Sequence, residues 1–298
     1  MGGDHGPPVI LSAVQKAIQS ITDTQFILCG DENIIRPALE SLTEDQRQRA
    51  VVHHCEQIVA MGEPPTSALR NKKQSSMWKA LQLVESGEAD ACVSAGNTGA
   101  LLTMAFYLLK TLPGIDRPAL VSDMPTASHH RVFLLDLGAN VNCTSEILFQ
   151  YGVMASVLAE QISGIESPRV ALLNVGEEDI KGNAQVKYAD QLFKNAKGIN
   201  YIGYVEGDDI FTDYADVVVT DGFTGNIALK SCEGLAKLVI NEVKRQSQAN
   251  FFSRMMARIA LPLLKTVYNR VNPDQYNGAS LLGLRGIVIK SHGNASAE

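Results

Sequence analysis

Short apolar segments rich in β-branched residues alternate along this chain with longer segments in which apolar residues recur at helical spacing. The short segments predict strands and the longer ones predict helices that cover a sheet. The predicted strands are 24–30, 51–55, 89–94, 119–123, 131–136, one beginning at 170, 201–206, 216–220 and 286–290. The predicted helices are 7–20, 32–42, 64–84, 101–111, 145–161 and one that follows 226. Only a loop separates 119–123 from 131–136, which favours antiparallel pairing, so we expect an α/β protein with a mixed sheet.

One strand-turn-helix unit organises the candidate chemistry. The β-branched run 216–220, with no charge inside it, ends at Asp221-Gly-Phe-Thr-Gly-Asn226, and a helical pattern follows. Backbone N–H groups at the positive end of a helix bind anions, so this turn predicts an anion site. The alternative is an ordinary turn in which Thr224 or Asn226 caps the helix.

Three other strands end in the same manner. Their turns are Ser94-Ala-Gly-Asn-Thr-Gly-Ala100, Leu135-Asp-Leu-Gly-Ala-Asn140 and Gly176-Glu-Glu-Asp-Ile-Lys-Gly-Asn183. In open α/β sheets ligands bind beyond the carboxyl ends of the strands. We therefore expect several of these strand ends to share one polar cleft.

Composition narrows the class of protein. The chain has 298 residues, of which 45% are hydrophobic and 19% charged, as expected of a globular protein with a sizeable core. A net charge of −6 argues against a nucleic acid partner. Five cysteines without CxxC or Cys/His spacing predict a reducing compartment and no zinc site. The sequence shows no signal-peptide pattern and no apolar run of about 18 residues, so we expect a cytoplasmic protein.

The segment 250–271 has the pattern of a basic amphipathic helix that breaks near Pro262. Its apolar ridge and its basic flank are formed by Phe251, Met255, Ile259 and Leu263 and by Arg254, Arg258 and Lys265. One interpretation is a helix packed on the core or across a dimer interface. The other is a surface that contacts a membrane or an acidic protein partner.

A second basic cluster, formed by Arg70, Lys72 and Lys73, lies within the predicted helix 64–84. Such a cluster is usually a solvated helix face, and the alternative is an anion-binding role.

Taken in order, the motifs identify a family. Those quoted above, together with Met1-Gly-Gly-Asp-His-Gly-Pro7, Arg70-Asn-Lys-Lys-Gln-Ser-Ser-Met77, Tyr204-Val-Glu-Gly-Asp-Asp-Ile210 and Tyr276-Asn-Gly-Ala-Ser-Leu-Leu-Gly-Leu-Arg-Gly286, closely resemble the bacterial PlsX family of phosphate acyltransferases. The resemblance covers essentially the whole chain. It implies conversion of long-chain acyl-acyl carrier protein and inorganic phosphate to acyl phosphate and free carrier protein, for phospholipid synthesis.

The resemblance also implies a fold and partners. The fold is a three-layer α/β/α sandwich on a mixed sheet, like that of isocitrate and isopropylmalate dehydrogenases and of phosphotransacetylases. We expect a homodimer that associates peripherally with the inner face of the membrane through 250–271, with a membrane glycerol-3-phosphate acyltransferase as a further partner. No cofactor and no metal is implied.

The resemblance further suggests how the chain is organised. We expect 1–298 to form a single catalytic domain of two intertwined subdomains. The family pattern has a strand before Met1-Gly-Gly-Asp4 and a helix after Ser291-His-Gly-Asn294, so both ends are expected to lack one element.

Site residues follow from the motifs and the reaction. Phosphate is itself a nucleophile, so the enzyme needs donors for phosphate and for the developing oxyanion rather than a nucleophilic side chain. The expected catalytic residues are Lys181 and Asn226. Lys181 has the alternative of a surface ion pair with Glu177 or Glu178. The expected phosphate- or substrate-binding residues are Asp4, Ser94, Gly96, Asn97, Thr98, Gly99, Asn140, Asn183, Asp221, Gly222 and Gly225.

The remaining candidates have smaller or different roles. The expected membrane or carrier-protein contacts are Phe251, Arg254, Met255, Arg258, Ile259 and Leu263. Asp4 is expected to orient Lys or Asn groups rather than meet an anion directly. His5 is a candidate to reach the cleft, whereas His129 and His130 are expected to face solvent.

Three other functions remain open at this point. A phosphotransacetylase acting on short acyl-CoA would share the fold and chemistry without needing 250–271. A nicotinamide-dependent decarboxylating dehydrogenase would need carboxylates for a divalent metal, and no such cluster is evident. A non-catalytic membrane scaffold would not need the complete set of motifs.

Overall fold

The computed structural model describes residues 1–128, 130–178, 180–272, 278–293 and 295–297. The chain forms two compact units, one built from Met1–Pro118 with Gly278–Glu298 and the other from Ala119–Asn277. We refer to them as the first and the second unit.

Strands and helices alternate along the chain. The strands are β1 Phe26–Gly30, β2 Ala50–His54, β3 Ala91–Ser94, β4 Ala119–Pro125, β5 Arg131–Leu135, β6 Arg169–Leu173, β7 Asn200–Val205, β8 Val217–Val219, β9 Ala279–Leu282 and β10 Ile287–Lys290. The helices are α1 Pro7–Ser20, α2 Glu32–Leu39, α3 Glu44–Gln48, α4 Pro65–Asn71, α5 Ser76–Glu85, α6 Thr98–Leu109, α7 Ser145–Ser163, α8 Ala184–Asn195, α9 Gly222–Gln248, α10 Phe251–Ile259 and α11 Leu261–Val271.

The first unit contains two separate sets of paired strands. β1 and β2 are parallel, and Ile18, Ile35 and Leu39 from α1 and α2 form a buried cluster beside them. β3 pairs in parallel with β10, which pairs antiparallel with β9. β1 and β2 are connected through α2 and α3, a connection long enough for parallel pairing.

The second unit has one mixed sheet with the strand order β4-β5-β8-β6-β7. β4 and β5 are antiparallel and the other neighbours are parallel. The expected pairing of 119–123 with 131–136 and the expected mixed sheet are therefore confirmed. Leu134, Val170 and Val217–Val219 are at most 1% exposed, which agrees with a strand sequence that is apolar on both faces.

An ion pair joins two strands of this sheet. Arg169 at the start of β6 donates from its backbone N, Nε and Nη2 to the carboxylate of Asp216, at 2.8–2.9 Å. Two side-chain bonds in a fork geometry make this pair stronger than a single contact.

The predicted helix 64–84 is wrong as one element, because it is divided into α4 and α5. Ser75 caps α5 by accepting a hydrogen bond from Trp78 N, and its hydroxyl donates to Lys72 O at 2.6 Å. A serine that bonds to nearby backbone competes with continuation of the helix. α3 and β9 are further elements that the hydrophobic pattern did not predict.

The predicted break near Pro262 is confirmed. α10 ends at Ile259, and α11 begins at Leu261 with Pro262 in its first turn, where a missing N–H is tolerated. The apolar ridge of this segment is not packed on the core of its own chain, since Phe251, Ile259 and Leu263 are 82%, 69% and 67% exposed. Packing of this segment on the core is therefore wrong for the described residues, whereas packing across a dimer interface stays a prediction.

Candidate active site

The turn between β8 and α9 is capped by Asp221. Its Oδ1 accepts a hydrogen bond from Thr224 N at 2.8 Å, and its Oδ2 accepts from Thr224 Oγ1 at 3.2 Å. The alternative of a helix cap is therefore present, but the capping residue is Asp221 and not Thr224 or Asn226. Asp221 holds the turn with both carboxylate oxygens. Its negative charge therefore occupies the start of α9, the position at which the sequence predicted a bound anion.

Gly222 and Gly225 allow this turn to pack closely on its neighbour. A Cβ atom at Gly222 would lie 2.7 Å from Asn140 O, and one at Gly225 would lie 2.0 Å from Asp136 O. Gly222 N donates to Asn140 O at 2.8 Å. The two glycines thus provide close backbone contact, and the Gly222 amide is already occupied rather than open to phosphate.

The turn that α9 packs against is organised by Asp136, which sequence reasoning missed. Its buried carboxylate accepts from the backbone N–H groups of Leu120, Gly138, Ala139 and Asn140. Burial raises the pKa of the Asp136 carboxyl, and these donors act in the opposite direction. The signal that could have found it is an aspartate ending an apolar run before Gly138, a position suited to accepting turn amides.

Asn140 supports the same turn. Its Nδ2 donates to Asp136 Oδ2 at 3.1 Å and to the hydroxyl of Tyr151 at 2.7 Å. Asn140 is 8% exposed. Both donor hydrogens are therefore committed to the protein, which makes Asn140 a positioning residue rather than a direct phosphate ligand.

Asn226 differs from these residues in having a free side-chain amide. It lies beside Gly138, where a Cβ atom would be 3.4 Å from the Asn226 Cβ atom, and it is half-buried. Within the described ranges, its side-chain amide has no hydrogen-bond partner. A half-buried donor without an acceptor is chemically suited to a substrate oxygen.

Lys181 lies in the loop between β6 and α8 and forms an ion pair with Glu178 at 2.8 Å. The bond to Glu178 raises the pKa of Lys181 and lowers the pKa of Glu178. The Lys181 side chain is 44% exposed. The alternative of a surface ion pair is thus what the structure contains, with Glu178 as the partner.

The other residues of this loop are structural. Asn183 is exposed and caps α8 by accepting from Val186 N at 2.9 Å. Asn174 Nδ2 donates to Gly176 O at 2.9 Å. Lys187, on the first turns of α8, donates to Ile180 O at 2.5 Å.

In the first unit, the start of α6 offers free donors. Thr98 N and Gly99 N lie in the first turn of the helix and have no acceptor among the described residues. Ser94 Oγ, just before them, accepts from Gly96 N at 3.2 Å. The amides of Thr98 and Gly99 can therefore bind an anion, as expected from the sequence.

The Asn97 side chain, by contrast, is fully used by the protein. Nδ2 donates to Met61 O at 2.7 Å and to Glu63 O at 2.9 Å, and Oδ1 accepts from Ala100 N at 3.0 Å. The expectation that its side chain cradles phosphate is wrong in this geometry, because Asn97 ties α6 to the loop before α4.

Two further loops of the first unit lie near this helix start. A Cβ atom at Gly2 would be 3.1 Å from Gly96 Cα, and Asp4 N donates to Gly293 O at 2.8 Å. Asp4 and His5 are exposed. Lys290, which sequence reasoning missed, is 7% exposed and is paired in register with Ser94.

The two most strongly shifted cysteines and the described loop histidine show no sign of catalytic chemistry. Burial raises the pKa of the Cys29 and Cys92 thiols to about 12, which keeps them protonated. His130 is exposed, as expected, whereas His129 and the Tyr276-Asn277 part of the late motif lie outside the described residues. The described His, Cys, Asp and Glu side chains form no group suited to a metal ion.

The structure thus places the predicted site residues in three groups, one of which is Lys181 and Asn183 in the loop between β6 and α8. In the second unit, Asn140, Asp221, Gly222, Gly225 and Asn226 gather around the Asp136 turn. In the first unit, Asp4, Ser94, Gly96, Asn97, Thr98 and Gly99 belong to neighbouring loops. All six predicted membrane or carrier contacts are exposed on α10 and α11. Among the helices of the described ranges, none has both the length and the apolar character that crossing a bilayer demands.

Comparison with known proteins links this arrangement to a family and a reaction. A family model described as "Fatty acid synthesis protein" matches residues 1–298. A phosphate acyltransferase from Pseudoalteromonas atlantica is 60% identical over 298 residues, covering 100% of this chain and 87% of the relative. One from Halorhodospira halophila is 52% identical over 300 residues, covering 100% and 86%.

A solved structure shows the same fold. The branched-chain phosphotransacylase from Enterococcus faecalis V583 superposes with a TM-score of 0.63 at 18% identity, covering 99% of this chain and 91% of that chain. At this identity the likeness shows the fold alone, and it confirms the expected phosphotransacetylase-like α/β class.

Proposed function

Since this chain belongs to the fatty acid synthesis protein family, we propose that it is a phosphate acyltransferase. Its acyl donor is long-chain acyl-acyl carrier protein, its acceptor is inorganic phosphate, and its products are acyl phosphate and free carrier protein. The observation that carries this proposal is the 60% identity to a phosphate acyltransferase over all 298 residues. The resemblance to the PlsX family is confirmed at the level of the family.

The reaction needs few chemical groups. An oxygen of phosphate attacks the thioester carbonyl carbon, a C–O bond forms and the C–S bond breaks. The electron pair of the C–S bond leaves with the carrier thiolate, which then takes up a proton. The protein must hold the phosphate near the carbonyl and stabilise the negative oxygen that develops there.

Donors that lack acceptors are the best candidates for these tasks. In the second unit we assign the side-chain amide of Asn226 to the developing oxyanion. In the first unit, taken by itself, the backbone amides of Thr98 and Gly99 are the candidates for binding an anion such as phosphate. Ser94 supports the phosphate turn by accepting from Gly96 N. Asn97 holds the turn before α6, and Asn140, Asp221, Gly222 and Gly225 hold the turns around Asn226, whereas Asn183 caps α8 beside the Lys181 loop.

Lys181 remains a proposed catalytic cation in spite of its ion pair. Because its pKa is raised, it stays charged at neutral pH. A substrate oxygen can replace the exposed Glu178 carboxylate, since a surface ion pair of this kind contributes little.

The surface of α10 and α11 supports the proposals of a homodimer and of peripheral membrane association. It presents exposed apolar side chains beside Arg254 and Arg258, a combination that suits an anionic lipid surface. A membrane glycerol-3-phosphate acyltransferase would then receive the acyl phosphate at the same membrane. Contact of this surface with the acidic carrier protein is the other interpretation.

An assay with three substrates tests the reaction. The purified chain is incubated with phosphate and either acyl-acyl carrier protein, acyl-CoA or a hydroxy acid with NAD, and thiol, acyl phosphate and NADH are measured. We expect phosphate-dependent thiol release with the carrier thioester. A clear preference for short acyl-CoA would indicate a phosphotransacetylase instead, and NADH formation would indicate a dehydrogenase.

The donor assignment is tested in the same assay. Asn226→Ala should lower kcat by about 100-fold or more, because an oxyanion donor acts mainly in the transition state. Asn241→Ala is the control, since Asn241 is an exposed asparagine of the same helix. Equal effects of the two substitutions would contradict the assignment.

A further inference from the structure

An apolar groove lies between α4 and α6 on the first unit. It has a volume of about 430 Å³ and is lined by Leu69, Thr103, Phe106, Tyr107, Lys110 and Thr111. Phe106 and Tyr107 are 41% and 50% exposed. Two large aromatic side chains are thus open to solvent in one concave surface. A contiguous apolar patch of this kind indicates a binding surface, whereas a single exposed apolar residue does not.

Cations surround this groove. Lys110 Nζ lies 4.8 Å from the centre of the Tyr107 ring, and Arg285 Nε donates to Thr111 O at 2.9 Å. Lys73 Nζ lies 5.7 Å from the centre of the Trp78 ring, which is 5.9 Å from the Tyr107 ring. All three cations are exposed.

These charges have no counterpart in the chain as far as the structure describes it. Neither Lys73, Lys110 nor Arg285 forms an ion pair with a described carboxylate. The protein as a whole carries a net charge of −6. A local positive surface on an acidic protein favours an acidic partner.

The backbone at Lys110 is a further reason to single out this cation. Its φ of 60° and ψ of 172° fall in a region that glycine alone adopts without strain. It is the one residue other than glycine with a positive φ in the described ranges. Glycine would fit this backbone conformation better than lysine. The strained position is therefore also the one that places a cation at the groove.

We propose that this groove, with Lys110, Arg285 and Lys73 at its rim, is the docking surface for the carrier protein that delivers the acyl group. The occupant is an acidic amphipathic helix of that carrier, which places apolar residues between Phe106 and Tyr107 and carboxylates at the rim. Helix-in-groove recognition combines apolar anchors with charges at the edge in this way. The inference rests on the proposed function, because an acyl carrier protein is the partner that the reaction requires.

The groove differs from the basic flank of α10 in one respect. Arg254 and Arg258 lie on α10, a helix on which most residues are exposed, whereas the groove is concave and apolar. A flat lipid surface fits the former, and a protruding protein helix fits the latter.

Charge reversal tests the proposal. Lys110→Glu with Arg285→Glu should raise KM for acyl-acyl carrier protein about tenfold or more, and the rise should exceed that for acyl-CoA of equal chain length by about the same factor. KM of the unchanged protein for the carrier substrate should also rise with salt. Lys16→Glu, an exposed lysine of the same unit, is the matched control.

A second variant separates docking from folding. Lys110→Gly removes the charge and relieves the backbone, so its melting temperature should equal or exceed that of the unchanged protein while KM for the carrier substrate rises. A raised melting temperature with an unchanged KM would overturn the role of Lys110 in docking.

Other results would replace the proposal with another occupant. An effect that follows acyl chain length, whether or not the carrier is present, would mean that the groove holds hydrocarbon. Loss of a dimer in the double variant would mean that it is an interface between copies of this chain. A KM effect from Arg254→Glu with Arg258→Glu, and none from the groove variants, would place the carrier on α10.

Failure of the proposed function would be recognised separately. In that case the unchanged protein would form no acyl phosphate from either thioester. Binding of acyl-free carrier protein to the unchanged protein and to the double variant, measured by calorimetry, would still decide the groove. Equal affinity for the two would overturn the inference.

Discussion

At the scale of single residues, what distinguishes the candidates is whether their polar atoms are already bonded within the protein. Asn97, Asn140 and Asp221 use their side chains to hold turns. The amides of Thr98 and Asn226 have no acceptor in the described ranges. All five belong to motifs of similar appearance, so only the bonding pattern separates residues that position from residues that can bind.

Lys181 has two alternative roles, a surface ion pair with Glu178 and a catalytic cation, and a substitution separates them. Lys181→Ala should lower kcat by about 100-fold while KM changes little, because a cation near the thioester carbonyl acts mainly in the transition state. Steady-state kinetics with the carrier thioester measures both constants.

The control for this substitution must avoid the same loop. Lys187 is unsuitable, since its Nζ donates to Ile180 O and so supports the loop that carries Lys181. Lys197→Ala changes an exposed lysine beyond α8 and should be near neutral. Small and equal effects of Lys181→Ala and Lys197→Ala would mean that Lys181 is only the surface partner of Glu178.

At the scale of elements, the ion pair between Arg169 and Asp216 links β6 to the start of β8, the strand that leads into the α9 turn. Burial opposes ionisation of Asp216, but the bonds from Arg169 outweigh it and keep the pKa of this carboxyl below its usual value. A lowered pKa contributes stability above the unfolded-state pKa, and this contribution is lost as pH falls through the folded-state pKa.

The ion pair between Arg169 and Asp216 should affect stability mainly through its loss below pH 4. The free energy of unfolding should decline as pH falls from about 4, near the unfolded-state pKa of aspartate, and Asp216→Asn should flatten this part of the decline. At neutral pH the substitution should lower the free energy of unfolding by about 1 kcal/mol. The effect is small because the Arg169 side chain is 41% exposed.

Urea unfolding across pH measures this contribution. Asp208→Asn is the control, since Asp208 is exposed and makes no capping bond. If the free energy of unfolding of the Asp216→Asn variant declines below pH 4 as steeply as that of the unchanged protein, the ion pair does not contribute stability as described.

At the scale of the whole molecule, a net charge of −6 means that attraction to an anionic surface must be local. The exposed face of α10 and α11 combines such a local basic cluster with apolar side chains. Each basic residue near an anionic membrane contributes about 1 kcal/mol.

Association of the whole protein with lipid can therefore be separated from catalysis. Ile259→Glu with Leu263→Glu should release the protein from anionic vesicles, while turnover of soluble acyl-acyl carrier protein changes little. Vesicle sedimentation and the thiol assay measure the two effects.

The control adds the same charge without removing apolar surface. Thr266→Glu with Asn269→Glu places two carboxylates at exposed polar positions of α11 and should weaken vesicle binding less. If the Ile259 and Leu263 variant instead loses a dimer or unfolds, the ridge is a subunit interface and the membrane proposal is wrong.

The family, the fold class and most strands were determined by the sequence itself. Runs such as Val217–Val219 are apolar on both faces, and only a covered strand suits them, so β8 could be predicted. The antiparallel pair β4 and β5 followed from a short connection that cannot cross over a sheet. The motifs and their order identified the family, because both are properties of the sequence and need no knowledge of the fold.

What only the tertiary structure decided depends on contacts between distant segments. Three features cannot be read from local pattern: the bonding of Asn97 to Met61 O, the close approach of Gly225 to Asp136, and the six hydrogen bonds made by the Asp136 and Asn140 side chains. The groove between α4 and α6 arises in the same way, from two helices that are separated in the chain. Local spacing determines periodicity and therefore elements, whereas the free or bonded state of a donor is set by whichever backbone packs against it.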